Sequence, residues 1–337
     1  MKTFPDGRRG WLMVSLRLAL VLVALGLFVV FATSMPGKSY SGALAPLSLE
    51  ERQVSANLKN HVQLLAGKIG ERNLIHYKSL QEGAKYLESS LRSDGYEVGS
   101  QEYVVDGSAV RNLVTEIPGG ARHLEIVVVG AHYDTVYDCP GADDNTSGTA
   151  ALLELARLLK PSHPARTIRF VAFVNEEPPY FQTANMGSWV YAKRAHAARE
   201  NIVAAISLET IGMYTEKPGS QHYPAGFSLL YPSQGDFIAF VGNVGSRGLV
   251  RDTVKSFRHS TAFPSQGSAV PGWIAGVGWS DHWSFWQEGY PAVMVTDTAL
   301  FRNPNYHQPS DKPDTLDYDR MARVVRGLAT VIADLAK

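Results

Sequence analysis

Apolar and polar positions alternate along the chain with two different periods, after an N-terminal run that has no period at all. From Trp11 to Ala32 the sequence WLMVSLRLALVLVALGLFVVFA holds one ionisable residue, Arg17. It is apolar on every face, unlike a helix that buries one side in a core. As a helix it would be roughly 33 Å long, against an apolar bilayer thickness of about 30 Å. The stretch from Ser34, SMPGKSYSGALAPLSLE, is rich in Ser, Gly, Pro and Ala and reads as a linker. Beyond it, helical spacing is evident over 54–67, 79–95, 147–160, 186–200 and 317–337. Strand-like apolar runs occupy 111–119, 124–132, 167–177, 202–212 and 290–298. Continuous apolar strands that alternate with amphipathic helices predict an α/β fold, its mixed, mostly parallel central sheet covered by helices on both faces. The stretch 215–280 shows no clear period and is expected to carry the walls that set specificity.

Charge changes the picture at the N-terminus. Lys2, Arg8, Arg9 and Arg17 all lie on the N-terminal side of the apolar run, so the positive-inside rule keeps that end in the cytoplasm and places everything after Ala32 outside. Arg17 can extend its side chain back to the interface. A cleaved signal peptide, which would leave a secreted protein, is the competing reading. The expected organisation is a cytoplasmic stub and transmembrane anchor over 1–35, a linker over 36–49, and one domain over 50–337, with no internal repeat. Over the whole chain the charge is balanced, with 32 Lys and Arg against 32 Asp and Glu, so no global basic excess points to nucleic acid. A single cysteine, Cys139, excludes an intramolecular disulfide.

The chemistry gathers at strand ends, which is where open α/β sheets place their functional crevice. IVVVGAHYD ends in His132 and Asp134, IRFVAFVNEE in Glu176 and Glu177, and VAAISLE in Glu209, while AVMVTD leads toward His307 in NPNYHQPSD. Four such clusters on one sheet edge call for a common cause. Crowded carboxylates repel one another unless a cation sits among them. Two imidazoles with several carboxylate oxygens suit zinc, with cobalt or manganese as poorer matches, and the lack of cysteine ligands excludes a closed structural zinc site. Neighbouring residues at a strand end point to opposite sides, so Glu176 and Glu177 should serve different tasks.

In order along the chain, HYD, GADDNTSG, NEE, SLETIG, SDHWSF and YHQPSD resemble the motifs of the M28 zinc aminopeptidases, over about residues 50–337. The resemblance implies two zinc ions per chain, bridged by a carboxylate and a water or hydroxide. It implies Asp144 as the bridge, His132 and Glu209 on one zinc, and Glu177 and His307 on the other. Glu176 would be the general base that serves the zinc-activated water, Asp134 would hold the imidazole of His132, and Tyr306 would either polarise the scissile carbonyl or pack. Asp143 is expected to cap or support the loop, His282 to be a hydrogen-bonded pocket residue, and Cys139 not to be a nucleophile. Glu209 departs from the aspartate of the family's best-known members, which leaves its binding mode open. Trp273, Trp279, Trp283 and Trp286 could line a pocket or fill core. The function implied is a membrane-anchored aminopeptidase acting on peptides with a free N-terminus. Two alternatives are a glutaminyl cyclase with one working zinc and a non-catalytic binding module on the same fold.

Overall fold

The computed structural model describes residues 7–337; Lys2, one of the four cations of the positive-inside reading, lies outside the described residues. Eight strands form one sheet in the order β1-β2-β4-β3-β5-β8-β6-β7. They are β1 Gly99–Val105, β2 Ser108–Ile117, β3 Arg122–His132, β4 Arg166–Phe173, β5 Asn201–Glu209, β6 Ile238–Gly242, β7 Ser265–Ala269 and β8 Ala292–Thr296. The four central strands, β4, β3, β5 and β8, are mutually parallel. β1, β2 and β4 pair antiparallel on one flank, and β6 joins β8 antiparallel on the other. The sheet is therefore mixed, with its parallel part at the centre, and the parallel strands end on the same edge.

Eight helices accompany it among the described residues: α1 Gly7–Thr33, α2 Leu49–Val62, α3 Tyr77–Ser93, α4 Gly148–Leu159, α5 Gly187–Ala197, α6 Arg247–Ser260, α7 His282–Gln287 and α8 Tyr318–Leu335. The apolar faces of α2 to α8 are turned into the cores on either side of the sheet. In α8, Met321, Val324, Val325, Leu328, Val331 and Ile332 are all buried, at the three- and four-residue spacing of one helix face. α2 starts on a reciprocal cap, Ser48 accepting from the Glu51 amide while Glu51 accepts from the Ser48 amide. The larger core joins β3, β4, β5 and β8 to α2, α3, α4, α6 and α8; a smaller one joins the other face to α5 and α7.

α1 has 27 residues, about 40 Å of helix, and most of it touches nothing else. It is long and apolar enough to cross a membrane or to serve as a signal sequence. The linker after it is not loose. Arg251 donates to the Ser34 carbonyl, Arg258 Nη1 to those of Pro36 and Gly37 at 3.1 and 3.0 Å, and the Ser39 hydroxyl accepts from the Ser265 amide at 2.9 Å. Three elements lie where the sequence shows no clear period: β6, α6 and β7, all within 215–280. β1, a further strand outside that stretch, joins β2 through the two-residue turn Asp106-Gly107.

Candidate metal centre

Strand order does the assembling. β4 and β5 both flank β3 in parallel register, so their carboxyl ends meet the end of β3 at His132. The chain then leaves β3 in a loop, Tyr133–Ser147, that is exposed at Tyr137 and Asp138 but buried from Gly141 on, and delivers Asp144 next to the start of α4. Two glycines make this loop possible. Gly141 has a φ of 64°, and a side chain there would meet the Asp144 carbonyl; a side chain at Gly148 would meet the Leu208 carbonyl at the end of β5. Asn145 ties the same parts together, donating to the Leu208 carbonyl at 2.8 Å and accepting from the Gly148 and Thr210 amides at 3.1 Å each.

The side chains converge on Asp144. Its Oδ1 lies 3.4 Å from His132 Nε2 and its Oδ2 lies 3.0 Å from His307 Nε2. Glu209 Oε2 is 3.3 Å from His132 Nε2, and Glu177 Oε2 is 3.3 Å from His307 Nε2. Glu176 Oε2 stands further back, 3.8 Å from His132 Nε2. Ligand-type atoms of His132, Glu176 and Glu209 lie within 4.8 Å of one another, as do those of His132, Asp144 and Glu177. His132 Nε2, His307 Nε2 and Glu177 Oε1 are buried with no hydrogen-bond partner among the described residues. Such orphaned atoms are costly unless something fills the space between them. The donors are two imidazole nitrogens with carboxylate oxygens and no thiolate, which fits zinc.

The electrostatics say the same. Burial pushes the Glu177 carboxyl up to about 7, helped by the charge of Asp144, and pushes Glu176 well above the usual carboxylate range against the pull of His132. Burial would raise Asp144 too, but His132 and His307 outweigh it and hold it below that range. Burial would lower His307, yet Asp144 and Glu177 hold it at about 10. Without a cation the cluster is stable only if it keeps protons.

Asp134 does more than face an imidazole. Its Oδ1 is 3.5 Å from His132 Nδ1, and its two oxygens accept from the Glu176 and Glu177 amides at 3.1 Å each. This corrects the reason expected for the divergence of the two glutamates. β4 ends at Phe173, before them, and Asn175 takes a left-handed φ of 59°, so the pair sits on a turn gripped by Asp134 and not on an alternating strand. Thr210 and His307 are also left-handed, at 44° and 57°. Three such residues beside the cluster indicate a backbone held by its surroundings.

Asp143 and Asp144 separate clearly. Asp143 is turned away from both histidines, accepting from the Gly212 amide at 2.9 Å and from Asn303 at 2.7 Å. A residue with no expected role, Asp311, closes the loop: its carboxylate accepts from the amides of Asp143 and Asp144 at 2.9 to 3.1 Å. Arg72 is a second. Fully buried, it donates to the carbonyls of Leu65, Gly70, Tyr133 and Pro140 and to Thr146 Oγ1, and so spans the loop from His132 to Asp144. Arg72→Met is expected to strand these acceptors and to cost about 3 kcal/mol or more, read as a lowered urea midpoint; an unchanged midpoint would exclude the clamp.

The sequence model of the family described as Peptidase family M28 matches residues 112–332, which contain every one of these cluster residues. The chain belongs to peptidase family M28. The uncharacterized protein YfbL of Escherichia coli K12 is 38% identical over 284 residues, covering 82% of this chain and 86% of that one. Leucine aminopeptidase 1 of Trichophyton rubrum is 22% identical over 328 residues, covering 91% and 82%. The structure of BSAP, a zinc aminopeptidase from Bacillus subtilis, matches the M28 fold with a TM-score of 0.69 at 16% identity, covering 87% of this chain and 97% of that one. A glutaminyl cyclase of Porphyromonas gingivalis shares the fold as well, with a TM-score of 0.62 at 18% identity, covering 83% and 98%. Membership of M28 supports a zinc peptidase.

The remaining motif residues of this M28 chain fall into place around the cluster. Tyr306 stacks on His307, ring centroids 3.9 Å apart, and burial keeps its phenol protonated well above the ordinary range. Ser280 donates to Glu209 Oε2 at 2.6 Å. His282 is buried with Nε2 2.7 Å from the Val277 carbonyl; burial lowers it to about 4, so it is a neutral pocket residue outside the cluster. Cys139 donates to the Gln308 carbonyl, and burial pushes its thiol up to about 12, which leaves no thiolate for nucleophilic attack. Beside Glu209 and Tyr306 opens an apolar cavity of about 110 Å³, walled by Phe227, Phe240, Val270, Ile274 and Met294. Trp279 is at its edge, whereas Trp283 and Trp286 are packed against Trp189 and His282, and Trp273 is in solvent. Much of this wall comes from 215–280, the stretch expected to carry it.

Proposed function

We propose that the chain is a membrane-anchored zinc aminopeptidase that removes residues from the free N-termini of peptides, with residues 1–35 as stub and anchor, 36–49 as linker and 50–337 as the peptidase domain. One observation carries the reading: the two oxygens of Asp144 lie 3.4 and 3.0 Å from Nε2 of His132 and Nε2 of His307, buried nitrogens with no hydrogen-bond partner among the described residues. His132 and Glu209 would hold one zinc, His307 and Glu177 the other, and Asp144 both. When bound, zinc supplies Lewis acidity toward a peptide carbonyl, toward water and toward an uncharged amine.

The rest falls to the chain's own residues. Glu176, whose carboxyl burial raises well above the usual range, takes a proton from the attacking water and returns it to the departing amine. Tyr306, protonated throughout, can donate to the carbonyl oxygen as charge develops there. Asp134 fixes both the imidazole of His132 and the backbone that carries Glu176. The apolar cavity next to Glu209 suits a large apolar side chain on the residue to be removed. The catalytic domain would lie on the extracytoplasmic side, since Arg8, Arg9 and Arg17 precede the body of the apolar helix. The cyclase and binding-module readings rest on the fold alone, and the complete set of acidic and imidazole groups favours the peptidase.

The test is direction along the peptide. An N-acetylated substrate has no amine to offer, so kcat/KM should drop steeply between a free peptide and its acetylated twin at constant zinc. A ratio near one would remove the aminopeptidase reading and leave the metal centre standing.

A further inference from the structure

The end of α1 does not hang from a tether. Ala32 is 1% exposed, set against Val270 and Val277 with Phe227 and Ile274 alongside. Those same four domain residues wall the apolar cavity beside Glu209. The Arg247 guanidinium lies 3.9 Å over the Phe31 ring and its Nε donates to the Phe31 carbonyl at 2.7 Å, while Arg251 donates to the carbonyl of Ser34. From Phe31 outward to Trp11 the helix has almost no contact with the domain. A bilayer that holds this helix must therefore begin at the surface around Phe31, because no slack chain separates the two.

That surface carries what an interface selects. Leu229 is 89% exposed, Leu230 46% and Trp273 84%, each within three residues of Phe227 or Ile274 at the seat of Ala32. Single exposed apolar side chains are ordinary, but three that lie within three positions of the residues seating the root of an apolar helix have a ready partner in the bilayer that would hold that helix. Leucine and tryptophan settle at the boundary of acyl chains and headgroups, and the neighbouring Arg247 and Arg251 suit anionic phosphates.

We propose that Leu229, Leu230 and Trp273 dock into the outer-leaflet interface, which holds the catalytic domain against the membrane and sets the cavity wall at its surface. The proposal rests on the reading of α1 as a retained anchor, so its test separates the two. The full chain is reconstituted into vesicles of phosphatidylcholine and phosphatidylglycerol, with an environment-sensitive fluorophore on single cysteines at Leu22→Cys, Leu229→Cys, Trp273→Cys or Lys78→Cys. Buried Cys139, with its raised thiol, stays unlabelled. Lys78, on α3 against β2 at the opposite flank from β7, is the solvent control.

Labels at 229 and 273 are expected to shift to the blue and to lose most of their emission to nitroxide lipids labelled near the headgroup, the label at 22 to be quenched by lipids labelled deep in the chain, and the label at 78 to respond to neither. A dry label at 22 with wet labels at 229 and 273 overturns the docking while the anchor stands. A wet label at 22 overturns the anchor and the docking with it.

Discussion

Glu176→Gln is expected to lower kcat by about 10²–10⁴-fold, the usual contribution of a positioned base, while metal content stays at the wild-type value. The glutamine keeps the volume of the carboxylate and cannot take a proton. Glu176 Oε2 stands 3.8 Å from its nearest imidazole nitrogen, the longest of the carboxylate approaches to either histidine, whereas Glu177, Glu209 and Asp144 come to 3.0–3.4 Å. Glu177→Ala is expected to lose metal as well as rate, since it removes a donor facing His307. Elemental analysis of the two purified variants decides the matter. If Glu176→Gln sheds metal and Glu177→Ala retains it, the roles of the neighbours are exchanged.

Stripping the metal with a chelator is expected to lower the unfolding midpoint, and to lower it more as pH rises. In the metal-free chain Glu177 is held up at about 7 by burial and then by Asp144, against about 4.3 for an unfolded glutamate. Its stabilising proton is fully in place below the unfolded value and is lost as pH climbs through 7. His307, lowered by burial but held at about 10 by Asp144 and Glu177, loses its contribution as pH rises from the unfolded value of about 6.5 through 10. Glu176 and Glu209, raised by burial, act with the same sign. Asp144 is depressed, so its contribution is complete above the ordinary carboxylate range and stays flat here. The folded, metal-free chain therefore holds more protons than the unfolded one from about pH 5 to about pH 10, and its stability falls across that window. Metal needs those same groups deprotonated, so the loaded protein gains where the stripped one loses. One site at free zinc a hundredfold above its dissociation constant adds about 2.7 kcal/mol. Calorimetry of both forms across the pH window measures the gap, and a gap that stays constant or narrows toward high pH would exclude the cluster as the metal centre.

Much of the fold was open to the eye in the chain, since local periodicity is a local property. The central strands β3, β4, β5 and β8 were all legible as apolar runs, and α8 as a stripe. β1 was missed although its signal is present: Asp106-Gly107 between VV and SAV is a two-residue hairpin turn, with both residues at positive φ. β7, Ser-Gln-Gly-Ser-Ala, has no strand-like composition and exists because its backbone pairs with β6. α6 was also missed although its signal is present: Leu249, Val250, Thr253, Val254 and Phe257 form one buried face on an otherwise polar helix, a stripe as marked as that of α8.

By itself the sequence determined which chemical groups this protein can bring to a metal, and that each stands at the end of a strand or in the loop beyond, because strand ends and motif spacing are written between near neighbours. Only the tertiary structure decided which atoms meet. That β4 and β5 both flank β3, that Asp134 grips the amides of two glutamates more than forty positions away, that Asp311 and Arg72 clamp the loop of Asp144, and that Ala32 seats on the wall of the cavity all depend on contacts between distant segments. Such contacts follow from the order in which strands pair and from how buried polar groups find partners, and those are settled by the packing of the whole chain and not by any one stretch of it.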